Sequence, residues 1–307
     1  MSYELFERRD GMLDVMQHCH PAVSFGYFVL VIVCTMVLMH PACLLLSLMG
    51  AAWYTARLKG IRSLGKSAAW LVPTAVLTAL INPAFTHQGV TILTYLPSGN
   101  PLTLESILYG LAAAVMLAAV VLWFQCVTAV MTSDKTIYLF GRIIPSLSLL
   151  LSMTLRFVPA FLRRFRETAR AQRHMGRDTA TGSPLHRVKE ALRVFSIVVT
   201  WSLESAITTA DSMRCRGYGL KGRTSFALYR FDERDRAVTA WLALCSVYLL
   251  GGALAGGLSF QYYPALSVAA ITPLRVSFFV VYGLLCLTPA ILDALQTYRQ
   301  KGGTHRG

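Results

Sequence analysis

The 307-residue chain is 55% hydrophobic, has only 14% charged residues and carries a formal net charge of +14. This composition excludes an ordinary soluble domain, in which about a quarter of the residues are charged. The seven cysteines show no C-x-x-C spacing, so neither a disulfide framework nor a zinc site is predicted. The adjacent residues His18, Cys19 and His20 would not face one another on a helix, so they predict no metal site either. The composition is typical of an integral membrane protein.

Four uncharged runs each exceed the ~20 residues that a helix needs to cross the hydrocarbon core. A break at His40-Pro41 and two polar loops divide these runs. The predicted spans lie near residues 22–39, 42–56, 67–85, 104–131, 237–257 and 275–293. The sequence therefore predicts an all-α integral membrane protein with about six transmembrane helices.

The positions of the basic residues predict the orientation of these spans. Arg57, Lys59 and Arg62 lie between the second and third spans, whereas the loops 86–103 and 258–274 contain no Lys or Arg. Because cytoplasmic loops carry the excess of Lys and Arg, both termini are expected in the cytoplasm.

The middle of the chain is unusually basic. Residues 156–236 hold 17 of the 29 Lys and Arg residues against 8 Asp and Glu. Between 159 and 177, basic residues recur at intervals of three and four along one helical stripe, at Arg163, Arg166, Arg170, Arg173 and Arg177. A second helix is predicted over 187–215. Such basic amphipathic helices are typical of segments that lie on anionic lipid headgroups, and they can also bind a protein partner.

The two predicted helices end alike, with arginines followed by Gly176 in one and by Gly217 in the other. Glycine is a common C-terminal stop, and an Arg in the last turn complements the helix dipole. Capping accounts for one Arg at each end but not for the repetition of the same end. The repeated cationic end predicts two similar receiving sites, as a pair of related partner subunits would offer.

The predicted organisation has three parts. Residues 1–135 form N-terminal transmembrane helices with about four spans, and residues 136–236 form a basic cytoplasmic or interfacial region with long amphipathic coupling helices. Residues 237–307 add two transmembrane helices and a short basic tail.

The stretch "ADSMRCRGYG" at 210–219 resembles the second Ala-Arg-Gly motif of the transmembrane T component (EcfT or CbiQ type) of energy-coupling factor transporters, with Cys215 where Ala is usual. Supporting similarities are "TSDKTIYLFGRIIPSLSLLLSMTLRFVP" at 132–159 and "AQRHMGRD" at 171–178. The likeness extends over most of the chain. It implies a subunit of the bacterial or archaeal cell membrane that needs no cofactor.

The resemblance implies a docking role for both helix ends. In that family the Arg at each motif's centre docks in a groove on one of two ABC ATPase subunits. The residues implied for the second motif are Arg214, Arg216 and Gly217. The first motif departs from the pattern because Met175 stands where the family's Arg would be, so either Arg173 or Arg177 takes its role or the contact is apolar. The residues implied for the first motif are Arg173, Met175, Gly176 and Arg177.

The resemblance also implies that the coupling helices carry nucleotide-driven motion to a substrate-binding S component. The apolar residues expected to contact it are Phe161, Phe165, Phe195 and Val199. The transported substrate, whether vitamin, metal ion or other micronutrient, is not readable from this chain because selectivity would reside in the S component.

Other classes of function stay open. The stretch "GIRSLGKS" at 60–67 matches the letters of the G-x-x-x-x-G-K-[ST] phosphate loop, but it lies between two predicted membrane spans and not between a strand and a helix, the context that the loop requires. The chain is therefore expected to be non-catalytic and ATP hydrolysis to occur in its partners. A secondary transporter would need ionisable residues at mid-membrane, whereas the acids of the spans lie near their ends, at Glu105 and Asp293. A lipid-modifying enzyme would have only His174 and Asp178 as an acid–base pair. A membrane scaffold with a basic lipid-binding domain is the third alternative, and nucleic-acid binding is not expected.

Overall fold

The computed structural model describes residues 15–86, 89–95, 101–141, 145–176, 183–220, 229–256, 258, 260–263 and 272–303. Its helices are α1 (Val15–His18), α2 (Pro21–Val37), α3 (Pro41–Lys59), α4 (Ile61–Phe85), α5 (Leu104–Val130), α6 (Ser133–Gly141), α7 (Pro145–His174), α8 (Pro184–Cys215), α9 (Glu233–Leu254), α10 (Pro273–Cys286) and α11 (Thr288–Gly303). The predicted loop between α4 and α5 contains a short antiparallel hairpin, β1 (Ile92–Tyr95) and β2 (Pro101–Thr103). The prediction of an all-α integral membrane protein is confirmed.

The number of spans differs from the sequence prediction. Among the described residues, α4, α5, α8 and α9 are long and apolar enough to cross a membrane, and α10 with the start of α11 adds a fifth candidate that is bent by 61°. The predicted first span corresponds to α2, whose 17 residues fall short of the ~20 usually needed. Conversely, α8 qualifies because its short apolar stretch at 194–203 belongs to one continuous helix of 32 residues.

The chain forms two compact units. The first, here called the bundle unit, comprises residues 1–133 and 229–307, and the second, the helix-pair unit, comprises residues 134–228. The bundle unit contains the main hydrophobic core, to which α1, α2, α3, α4, α5, α9 and α10 contribute buried side chains. The helix-pair unit contains α7 and α8, which pack against each other.

A buried network of hydroxyl groups joins four helices of the bundle unit. Thr35 of α2 donates to the Val31 carbonyl (2.7 Å), and its Oγ1 lies 2.8 Å from the Ser47 hydroxyl of α3 and 2.9 Å from the Tyr282 hydroxyl of α10. Because a hydroxyl has a single hydrogen, Thr35 must accept from both neighbours. Ser47 in turn accepts the indole N–H of Trp123 on α5 at 3.0 Å. The network therefore satisfies each of these donors without water.

The pair of helices α4 and α5 approaches closely at a glycine. A Cβ added to Gly110 of α5 would lie 2.7 Å from the Ala79 carbonyl oxygen of α4, which is too short for any real Cβ contact. Small residues allow such close backbone approach in membrane helices. Elsewhere along α4 and α5, the Ser67 hydroxyl of α4 donates to Oε1 of Gln125 on α5 at 2.8 Å.

The two acids near the ends of predicted spans are bonded to other segments of the bundle unit. Glu105, in the first turn of α5, accepts the Thr91 hydroxyl (2.8 Å) and the Thr91 backbone N–H (3.2 Å). Asp293 of α11 accepts the Val15 backbone N–H at 3.1 Å. Both carboxylates thus tie a helix to a neighbouring chain segment.

Replacing Thr35 with Val should destabilise the bundle unit, because the buried Ser47 and Tyr282 hydroxyls both lose their acceptor. An interhelical hydrogen bond in a membrane protein contributes about 0.6–2 kcal/mol, so Thr35→Val should cost about 1–3 kcal/mol. The measurement is the free energy of unfolding in detergent. Thr74→Val is the matched control, since the Thr74 hydroxyl bonds only to Trp70 O of its own helix. Equal losses in the two variants would contradict the role of the network.

Candidate docking site at two helix ends

The helices α7 and α8 are joined by an aromatic and cationic contact. The rings of Phe161 on α7 and Trp201 on α8 meet edge to face with centroids 6.5 Å apart. The Arg164 guanidinium lies 5.1 Å from the centre of the Trp201 ring, within the range of a cation–π interaction. The sequence analysis missed this contact, although Trp201 is the one tryptophan within the predicted second helix.

Near its start, α8 has a short buried stripe. Glu190, Val194 and Val198 recur every four residues and are all buried. Glu190, with only 5% of its surface exposed, accepts two bonds from Nη1 of Arg193, at 2.8 and 2.9 Å. A carboxylate this buried needs such a partner, because an unpaired buried charge is strongly destabilising.

The α8 end is a regular glycine stop. Gly217 has a φ of +74°, a conformation that favours glycine. Its N–H bonds to the Arg214 carbonyl (2.9 Å), and the Tyr218 N–H bonds to the Met213 carbonyl (3.0 Å). This pair of bonds is the Schellman motif, which satisfies the last carbonyls of a helix. Arg216 is therefore the last residue before the backbone reverses, and its side chain is exposed.

The α7 end repeats the glycine conformation and the first of these two bonds, with different side chains. Gly176 has a φ of +77°, and its N–H bonds to the Arg173 carbonyl at 3.0 Å. In this register Arg173 corresponds to Arg214, and Met175 corresponds to Arg216. Met175 is 69% exposed, so the position before the glycine presents an uncovered apolar side chain. Arg177 and Asp178 lie outside the described residues.

The apolar residues predicted to face a partner are largely uncovered. Phe161 and Phe165 on α7 are exposed, Phe195 on α8 is 58% exposed, and Val199 is half-buried. Leu192 and Leu203, one to two turns away from Phe195 on α8, are also exposed. An exposed apolar surface of this kind marks a contact with a protein partner or with lipid.

These features define a multi-pass membrane protein that presents two exposed, glycine-terminated helix ends. The chain is similar to the energy-coupling factor transporter transmembrane protein EcfT of several bacteria. It is 30% identical to that of Lactobacillus helveticus over 117 residues, which are 38% of this chain and 42% of the relative. It is 32% identical to that of Listeria innocua over 101 residues (33% and 38%) and 28% identical to that of Lactococcus lactis over 105 residues (34% and 40%).

The chain thus spans about two fifths of the length of these curated relatives. No family model matches it. The resemblance to the T component is confirmed, over about a third of the chain rather than over most of it.

The contact between Arg164 and Trp201 can be measured with a double-mutant cycle. We expect Arg164→Gln and Trp201→Leu each to lower the stability of the α7–α8 pair, with a coupling energy of about 0.5–2 kcal/mol between them. Protection of α7 and α8 against proteolysis in detergent gives the measurement. Arg163→Gln combined with Trp201→Leu is the matched control and should show no coupling, because Arg163 is exposed and it is Arg164 whose guanidinium lies over the indole. If the coupling energy between Arg164 and Trp201 is zero, this contact does not link the two helices.

Proposed function

We propose that this chain is the transmembrane coupling subunit of an energy-coupling factor importer. In this function the ends of α7 and α8 dock on two ABC ATPase subunits, and the exposed apolar side chains of the two helices contact a substrate-binding S component. The chain itself performs no hydrolysis and passes the motion of the ATPases to the S component. The observation that carries the proposal is the repeated helix end, in which the same backbone geometry presents Arg216 in one copy and Met175 in the other.

The geometry of the α8 end supports a docking role. The Schellman motif uses backbone groups to stop the helix, so the Arg216 side chain is not needed to complete the cap. An exposed guanidinium at a rigid helix end can bond a carboxylate bidentately in a partner's groove. At the α7 end the corresponding contact would be apolar through Met175, and Arg173 would supply charge one turn earlier.

The uncovered apolar residues support contact with a second partner. Phe165 and Phe195 lie away from the two helix ends, and both phenyl rings are exposed. Aromatic side chains in such positions are common anchors of protein interfaces. The S component is the proposed occupant of this surface because it, like this chain, lies in the membrane.

The secondary-transporter alternative receives less support from the structure. Glu105 and Asp293, the acids near the ends of predicted spans, both accept hydrogen bonds from neighbouring chain segments. Such bonds fix a carboxylate in place, whereas a proton or ion carrier must exchange its partner during transport.

The docking role predicts that Arg216→Ala weakens ATPase binding. Truncating a buried, paired Arg at an interface costs about 2–5 kcal/mol, which raises Kd at least about thirtyfold. The tagged chain is purified from its native membrane, and the co-purified ATPase subunits are quantified by mass spectrometry. Met175→Ala should weaken the other contact to a smaller degree, since only apolar burial is lost.

Arg166→Ala is the matched control, because Arg166 is an exposed arginine of α7 two turns before its end. It should leave ATPase recovery unchanged. Phe195→Ser should deplete the S component while retaining the ATPases. Absence of any ATPase with the wild-type chain in mild detergent would refute the proposed function. If Arg166→Ala depletes the ATPases as much as Arg216→Ala does, Arg216 contributes only positive charge and not a specific contact.

The orientation of the α8 end can be tested with its own thiol. Cys215 is the one exposed cysteine among the described residues, next to Arg214 and Arg216. Under the proposed function it faces the cytoplasm, so a membrane-impermeant maleimide should label it in inside-out vesicles and not in intact cells. Cys215→Ser is the control for labelling at other cysteines. Labelling of Cys215 in intact cells would place this helix end on the opposite side and exclude contact with cytoplasmic ATPases.

A further inference from the structure

An open groove of about 360 Å³ lies between α2 and α9 on the bundle unit. This volume falls within the range of about 300–1,000 Å³ found for ligand pockets. Its lining includes Ala22, Gly26, Leu30, Phe231, Ala243 and Ser246. The α2 wall is low because Gly26 has no side chain, and a Cβ built there would meet no atom within 4 Å.

The groove offers no free hydroxyl hydrogen to a ligand. The Thr239 hydroxyl donates to the Asp235 carbonyl (2.7 Å), and the Ser246 hydroxyl donates to the Ala243 carbonyl (2.9 Å). Both hydroxyl hydrogens in the lining are thus used within α9. Because α9 is apolar and long enough to cross a membrane, an opening along it faces hydrocarbon. A hydrocarbon chain is the chemistry that fits such a lining.

A basic side chain, that of Arg236, lies on the groove-lining face of α9 toward one end of the groove. Arg236 precedes Thr239, Ala243 and Ser246 by three, seven and ten residues, which places it on the same face of α9. Its side chain is exposed. Arg236 makes no ion pair with any described carboxylate. Its register places it near the end of the groove where α9 begins.

Two of the three acids at the start of α9 are held by backbone donors. Asp232 and Asp235 form the capping box of α9, and Asp235 also accepts the His20 backbone N–H at 3.2 Å. Both carboxylates are thus directed at backbone donors. Arg234 donates to the His18 carbonyl at 3.3 Å and has a buried Nε without a partner among the described residues. Glu233, the remaining acid of this turn, forms no ion pair with a described residue.

We propose that this groove binds one phospholipid with an anionic headgroup. An acyl chain lies between Gly26 and Ala243, and the phosphate is bonded by Arg236. An arginine can bond a phosphate bidentately, and each basic residue near a membrane surface contributes about 1 kcal/mol to the binding of anionic lipid. The site is independent of the docking role of α7 and α8 and would hold a lipid whichever partners bind there.

The test is native mass spectrometry of the purified full-length chain, delipidated and titrated with phosphatidylglycerol or with phosphatidylcholine. The wild type should retain one tightly bound lipid and prefer phosphatidylglycerol. Ala243→Trp and Gly26→Phe fill the groove from opposite walls and should abolish the tight binding. Leu244→Trp is the matched control, since Leu244 is 66% exposed on another face of α9, and it should bind as the wild type does.

The headgroup contact has its own variant. Arg236→Gln should still bind a lipid but lose about fivefold of its preference for phosphatidylglycerol, the equivalent of one basic residue. Arg62→Gln, at an exposed arginine of α4, should keep the preference.

Three results would overturn the proposal. The first is that both groove-filling variants bind phosphatidylglycerol as tightly as the wild type does. The second is equal binding of the two lipids by the wild type. The third comes from cross-linking with a photoreactive residue placed at Ser246. If that residue cross-links to a protein and not to a lipid, a partner's helix occupies the groove.

Discussion

The bundle unit depends on one buried hydroxyl network centred on Thr35. In a bilayer the hydrophobic effect does not distinguish a neighbouring helix from lipid, so association needs close packing and directional bonds. The network supplies those bonds among α2, α3, α5 and α10. It also holds Trp123 in place, and the indole packs in turn against Tyr27 and Tyr54 in the centre of the core. The position of α2, and with it one wall of the groove beside α9, follows from this arrangement.

The helix-pair unit differs from the bundle unit because it leaves large apolar side chains uncovered. Among its described residues, the long helices have a short buried stripe at Glu190 and a ring contact at Trp201, while large apolar side chains such as Phe195 and Leu203 stay uncovered. Burial of apolar surface is the main favourable term in protein association, so such surface favours a partner or lipid.

The two helix ends share a backbone conformation but differ in the chemistry of their side chains. Gly176 and Gly217 stop their helices at the same backbone conformation, yet the preceding residue is apolar Met175 in one case and cationic Arg216 in the other. If both ends dock on related subunits, the two receiving grooves need not be chemically alike. The common feature would be a helix end of fixed shape, and the side chain would determine how strongly each contact depends on charge.

The sequence by itself determined the helical membrane character and the glycine stops, because hydropathy, periodicity and capping act over a few residues. It also located Arg216, Met175 and the exposed phenylalanines, since both helix ends and amphipathic faces are local patterns. The tertiary structure alone decided that Glu105 holds Thr91, that Arg164 meets Trp201 and that Thr35 pairs with Tyr282. Those partners are far apart in the chain or lie on different helices, and single-sequence patterns carry no information about which helices become neighbours.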